Sequence, residues 1–144
     1  MATRSAIGIM HGDVCKAVYC HWDGYLEHNG KILKEHYTDS VKVNRLISLG
    51  DISSLGPEVG EEHPFSSLDS ELSSEEYDAK YGNMTTFYGR DRGETTSFLT
   101  FTEFKNLATH YSNAGCEYIY IFKDGEWFVS KGQYGFNTLE RFEV

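Results

Sequence analysis

The sequence predicts an α+β fold: an antiparallel sheet with two or three packed helices and a long acidic loop. Three observations lead there. Short segments of alternating apolar residues are separated by Gly turns, other segments carry helical spacing, and one stretch is acidic and serine-rich without apolar period. At 144 residues a single domain, 1–144, is expected, with a mobile acidic insertion at about 57–80. A chain of this length buries roughly 70% of its unfolded surface, so its core requires neither disulfide nor metal.

The chain opens with RSAIGIM, HGD and VCKAVYC, a strand, a Gly-containing turn and a second strand. Ile7 and Ile9 alternate with smaller residues on the first. Val14, Lys16, Val18 and Cys20 share one face of the second, and Cys15, Ala17 and Tyr19 the other. After YCHWDGY (19–25) the period changes. In LEHNGKILKEHYT, Leu33, His36 and Tyr37 fall at helical spacing, with Asn29 as a candidate cap. TDSVKVNRLISLG puts Val43, Leu46, Ile47 and Leu49 on a second helix, with Thr38 or Asp39 at the N-cap and Gly50 at C′.

Residues 51–80 hold both prolines, seven serines and the acidic run, and read as an exposed loop with a turn of helix near Glu75. MTTFYG then reads as a strand, RDRG as a turn, and ETTSFLT as a partner strand or an extended run-in. Thr100 and Glu103 make a capping-box pattern ahead of FTEFKNLATHYSNAG, whose apolar stripe is Phe104, Leu107, Ala108 and Tyr111 and whose stop is Gly115. CEYIYIF and WFVSKG, joined through Asp124-Gly125, give the strongest hairpin signal. The tail QYGFNTLERFEV adds a short strand.

Net charge is −9, but of the 22 acidic residues eight lie between Glu58 and Asp78, where there is no Lys or Arg, leaving 14 against 13 basic residues elsewhere. The body is nearly neutral, and no basic surface for direct nucleic-acid binding is expected. Three cysteines without a CxxC pair predict free thiols and a reducing compartment. There is no apolar h-region at the N-terminus and no run of 18 apolar residues, so no membrane association is expected.

YCHWDGY raises the question of chemistry, because it sets a thiol, an imidazole and a carboxylate within four positions. On a continuing strand Cys20 and His21 point to opposite faces, so neither a metal site nor a Cys–His pair follows from their adjacency. The residues suit scaffold: Asp23-Gly24 for a turn, Trp22 and Tyr25 to bury rings against the following helix, His21 and Asp23 to satisfy loop backbone. ISSLG offers hydroxyls and a Gly backbone without a phosphate-loop motif, and reads as ordinary loop.

NMTTFYGRDRG is the better binding candidate. If its strand persists to Arg92, then Tyr88, Arg90 and Arg92 share a face at a spacing of two. A ring beside two guanidinium groups suits a nucleotide, stacking on the base and binding phosphate bidentately. The alternative is a solvated turn, for which Arg90-Asp91-Arg92-Gly93 is good chemistry. The candidate assignments are Arg90 and Arg92 for phosphate, Tyr88 or Phe87 for stacking and Asn83 for a polar edge. Arg4, at the start of the first strand, is added for the same phosphate. No catalytic set, cofactor or metal is expected.

TRSAIGI, VCKAVYCHWDGYLEHNGKILKEHYTD and RLISLGDISSLG together resemble a family of small bacteriophage proteins, the Thoeris anti-defence proteins of the first type. The resemblance covers about the first 56 residues and thins through the acidic segment. It implies a homo-oligomer, a dimer or hexamer, in the host bacterial cytoplasm. It also implies a protein that is not an enzyme but a sponge, holding a cyclic ADP-ribose isomer or another cyclic nucleotide without cutting it. The acidic run supports an alternative: a DNA mimic or protein-binding inhibitor of a host defence complex such as CRISPR or restriction.

Overall fold

A computed structural model describes residues 2–144. Its sheet has seven strands: β1 (Arg4–His11), β2 (Val14–Cys20), β3 (Ile52–Ser54), β4 (Thr86–Phe87), β5 (Leu99–Phe101), β6 (Cys116–Lys123) and β7 (Glu126–Lys131). Four α-helices accompany it: α1 (Lys31–His36), α2 (Ser40–Ser48), α3 (Ser74–Tyr81) and α4 (Phe104–Asn113). The fold is α+β. The sheet, however, is mixed rather than wholly antiparallel: in the order β4-β3-β2-β1-β6-β7, β1 pairs β6 in parallel and β2 pairs β3 in parallel.

Both hairpins expected from local signals are present. Gly12 takes a left-handed φ of 61° between β1 and β2. Asp124 and Gly125, at φ 52° and 78°, make the tight turn between β6 and β7, whose double positive φ matches the strands' twist. The parallel β1·β6 pair follows from burial. Helices cover both faces of the sheet, so its central strands must be apolar on both sides, and Ile119, Tyr120, Ile121 and Phe122 of β6 are all buried.

On one face, Ile7, Val18, Tyr120, Trp127 and Val129 pack with Leu33 and Tyr37 and with Val43, Leu46 and Ile47 of α2. Trp127 donates its indole N–H to the Tyr37 carbonyl at 2.8 Å, and the Tyr37 hydroxyl donates to the Gly56 carbonyl at 2.7 Å. On the other face Ala6, Cys15, Ala17, Ile119 and Ile121 pack with Leu107, Ala108 and Tyr111 of α4. Asp39 caps α2, accepting from the Lys42 N–H at 2.9 Å.

Several expectations are corrected. The first three residues of ISSLG are not loop but β3, inside the sheet beside β2. MTTFYG and ETTSFLT do not pair with each other, because β4 joins β3 and β5 joins β2. Thr100 belongs to β5, and α4 starts after Glu103 with no side-chain cap. Asn29 is not a cap but a fully buried amide, donating to the Trp22 carbonyl at 3.2 Å from a π-helical turn over Leu26–Gly30 that precedes α1. Trp22 and Tyr25 are not buried; they are 45% and 37% exposed.

The acidic segment folds back on itself. Ser73 and Glu76 form a reciprocal capping box that starts α3. Its base is tied to the body by the Glu58 N–H donating to the Asn83 carbonyl and the Thr85 N–H donating to the Glu58 carbonyl, at 2.9 and 2.8 Å. His63 is buried against the Tyr81 ring, stacked at 5.2 Å.

Candidate functional site

The strand expected to carry Tyr88, Arg90 and Arg92 on one face stops at Phe87, and residues 88–92 form a turn. RDRG is therefore a turn, but not the solvated one of the alternative reading, because the Asp91 carboxylate is buried and Arg90 nearly so; the three side chains separate.

Arg90 turns inward. Its Nε and Nη2 donate to the two Asp91 carboxylate oxygens at 3.0 and 3.2 Å, Nη2 also to the Thr85 carbonyl at 2.8 Å, and Nη1 to the Val59 and Gly60 carbonyls at 3.0 and 3.1 Å. A guanidinium has five N–H donors, and the chain occupies all of them. Asp91 is fully buried and also accepts from the His63 and Phe87 backbone N–H groups, at 3.1 and 2.8 Å. Arg90 is thus a structural clamp rather than a free phosphate ligand. Phe87 is fully buried, with the Arg90 guanidinium 4.6 Å from its ring centre, so it has no face for a base. Asn83 is exposed, and its carbonyl accepts the Glu58 N–H at 2.9 Å.

Arg92 and Tyr88 stay at the surface. The Arg92 guanidinium lies 4.9 Å from the Phe65 ring and 5.6 Å from the Tyr88 ring, and these rings are 5.7 Å apart. Its Nε pairs with Glu94 at 2.8 Å in a contact half open to water.

Arg4 lies apart, at the start of β1. Strand alternation puts Arg4 on the α4 side of β1, and the register Ser5↔Cys20, Ala6↔Tyr19 brings it beside Tyr19 and His21. It donates to the Ala114 carbonyl at 3.3 Å, where the C-terminal end of α4 favours a cation. The Tyr19 hydroxyl and His21 Nδ1 share a hydrogen bond of 2.7 Å, and the Trp22 indole meets His21 edge-on at 4.7 Å. Burial pushes the Tyr19 phenol up to about 12 against the opposing pull of Arg4; Cys116 and Tyr88 push the same way as burial. Burial, then Arg4, holds the His21 imidazole below its ordinary value. Tyr19 feels the charges of both Arg4 and Tyr88, and Tyr88 is in turn in contact with Phe65 and Arg92.

Asp51 links Tyr19 to Tyr88. The outer edge of β2 divides between β5, at Cys15–Ala17, and β3, at Cys20, and the Tyr19 N–H lies in the gap. An unpaired buried N–H is costly, and the Asp51 carboxylate accepts it at 3.0 Å while the Asp51 carbonyl accepts the Tyr88 N–H at 3.2 Å. Burial raises the Asp51 carboxyl above its usual value; Tyr19 and His110 oppose the shift.

Beside Arg4 opens a cleft of about 430 Å³, lined by its neighbour Thr3, its register partner Cys116, Tyr25, Tyr118, Lys131 and Gln133 among others. It offers rings, one cation in Lys131, one carboxylate in Glu117, and hydroxyl and amide groups. The three cysteines are buried, and burial pushes each thiol up to about 12, so none is a thiolate nucleophile at neutral pH. Among the described residues no three His, Cys, Asp or Glu side chains are grouped to hold a metal ion.

Of the six predicted residues, Tyr88 and Arg92 are in contact, Arg4 lies apart at the start of β1 against Ala114, Phe87 and Arg90 turn inward, and Asn83 joins neither group. Sequence reasoning read His21 and Tyr25 as scaffold and did not single out Tyr19, Asp51, Phe65 or the other cleft residues for binding. The available signal was the spacing of two between Tyr19, in β2, and His21, just past its end. No protein-family model, curated protein or solved structure matches this chain.

Proposed function

We propose that this protein binds and sequesters a cyclic ADP-ribose-type immune signal without cleaving it, as a phage anti-defence protein acting in the host bacterial cytoplasm. Two observations support the proposal: the cleft of about 430 Å³ beside Arg4, lined by Tyr25, Tyr118, Lys131 and Gln133, and the surface group in which Arg92 meets the Phe65 and Tyr88 rings. Cations suit a pyrophosphate, rings a purine, and hydroxyl and amide groups the ribose. The volume lies within the range of small-molecule sites. The resemblance of the first 56 residues to the Thoeris anti-defence family favours the same ligand class. Trp22 and Tyr25, exposed near this end of the sheet, suit coverage by a second copy in a homo-oligomer.

The experiment is a thermal-shift and calorimetric screen against cyclic ADP-ribose, its isomers, and cyclic di- and trinucleotides. A native-state ligand at a hundredfold excess over its Kd stabilises by about 2.7 kcal/mol, so a hit is unmistakable. Heating the complex should release the ligand with its mass unchanged. Silence from the whole panel, or recovery of a linearised product, overturns the proposal.

A second reading, the DNA mimic or protein inhibitor, is favoured by one observation: all eight acidic residues from Glu58 to Asp78 are exposed. Replacing Glu61, Glu62, Glu71 and Glu75 by Gln tests it without touching the clamp. Loss of anti-defence activity with ligand binding intact supports the mimic.

A further inference from the structure

We infer that the acidic insertion is a wall of the ligand face: it supplies Phe65 as a contact residue, and Arg90 is the positioning residue that holds Phe65 there. This inference deepens the proposed function and rests on it for the identity of the ligand class.

Three observations combine. First, Phe65 is the only Phe, Tyr or Trp between Tyr37 and Tyr77. It is half-buried against Tyr88 and Arg92 instead of entering either core cluster. An aromatic that merely anchored a loop would sink into the core; this one stays half-buried, its ring tilted 35° to that of Tyr88.

Second, the attachment of the insertion is built and buried. Arg90 binds the Val59 and Gly60 carbonyls on one side and Thr85 and Asp91 on the other. Asp91 in turn holds the His63 N–H, two residues before Phe65. The His63 imidazole is held by the Glu61 carbonyl at 2.7 Å and by Thr86 Oγ1 at 3.1 Å, and the Tyr77 hydroxyl donates to the Pro64 carbonyl at 2.6 Å. Every backbone step from Val59 to Pro64 except Glu62 is thus tied by a named contact, and the tether ends immediately before Phe65.

Third, Arg90 and Arg92 divide the labour of the turn. Arg90 spends its donors on the chain, whereas Arg92 directs only Nε to an exposed Glu94 and lays its plane over both rings. Arg92 is placed to meet an anion, and Arg90 is placed to hold the ring beside it.

The test has two arms. Without ligand, hydrogen exchange is followed at the Glu58, His63 and Thr85 amides in wild type and in Arg90→Lys, which keeps the charge and loses the planar fork. Exchange there should accelerate at least tenfold while β1 and β6 amides are unchanged. Unchanged exchange at 58–65 overturns the clamp. If Arg90→Lys does not fold, Asp91→Asn, which keeps the volume but removes the charge and turns one of the two accepting oxygens into a donor, is read in the same way.

With ligand, the tightest binder from the cyclic ADP-ribose panel is titrated into wild type, Phe65→Ala, Arg90→Lys and the double variant. Each single variant should weaken binding about tenfold or more, and the double variant no more than Phe65→Ala alone, because Arg90 acts through Phe65. Additive losses, or wild-type affinity in Phe65→Ala, overturn the role of Phe65. If no panel member binds wild type, the proposed function fails and Phe65 loses its ligand role, while the exchange arm still decides whether Arg90 clamps the insertion.

Discussion

Arg90→Met and Arg92→Met separate two arginines that look alike in RDRG. Methionine keeps most of the Arg90 stem against Phe87, so the change chiefly removes donors. Asp91, fully buried, then keeps only the His63 and Phe87 N–H groups, and the Val59, Gly60 and Thr85 carbonyls lose a partner. Stripping one partner from a buried ion pair costs about 3–5 kcal/mol. With Arg90 itself 13% exposed, water can reach part of the site, which favours the lower half of that range. For a chain of this size each kcal/mol moves Tm by about 2–4 °C, so a fall of about 10 °C is expected. That is a large share of the roughly 5–15 kcal/mol that holds such a domain. The Arg92–Glu94 pair is 53% and 44% exposed, and such pairs contribute about 0–1 kcal/mol, so Arg92→Met should move Tm by about 2 °C. Thermal unfolding by circular dichroism, checked by urea titration for an unchanged m-value, measures both. Equal and small shifts would refute the assignment of Arg90 as a buried clamp.

Three further outcomes are expected. Iodoacetamide at pH 8 should leave Cys15, Cys20 and Cys116 unmodified in the native protein and alkylate all three in denaturant, by mass spectrometry, because burial pushes each thiol to about 12. The same shifts set alkaline stability: acids whose native values lie above the ordinary 9.0 of Cys and 10.0 of Tyr stabilise the fold below those values and lose that contribution as pH climbs toward about 12, so urea midpoints should be flat from pH 7 to 9 and then fall. Tyr37→Phe removes a buried hydroxyl bound to Gly56 and Thr85 and should cost about 1–3 kcal/mol, whereas a neutral urea midpoint would show that water replaces it.

What could be read from the sequence was local. The β1–β2 and β6–β7 hairpins, the Asp39 cap and the Gly50 stop were visible because turn chemistry and side-chain period act within a few residues. What stayed hidden was long-range. β1 meets β6 across more than a hundred residues, and the start of ISSLG becomes β3 only because Cys20 on one side and Phe87 on the other accept it. The site divides in the same way. Arg4, Tyr88 and Arg92 were readable as exposed residues of binding type. That Arg90 faces inward could not be read, because its acceptors at Val59 and Gly60 are backbone carbonyls, which leave no trace in residue identity. Trp22 was expected to be buried by its size, yet its N–H group pairs with Ser53 while its ring stays outside.

The parallel seam between β1 and β6 also dictates when this protein can mature. Until Cys116–Lys123 has emerged from the ribosome, the nascent chain carries a finished β1–β2 hairpin whose inner edge, from Ser5 to Ile9, has no neighbour. Such an edge recruits other strands, and distant pairings close slowly because the intervening chain must first be gathered. Synthesis stalled before Cys116 would therefore leave a sticky fragment, and it is the β6–β7 hairpin that commits the sheet to its native pairing.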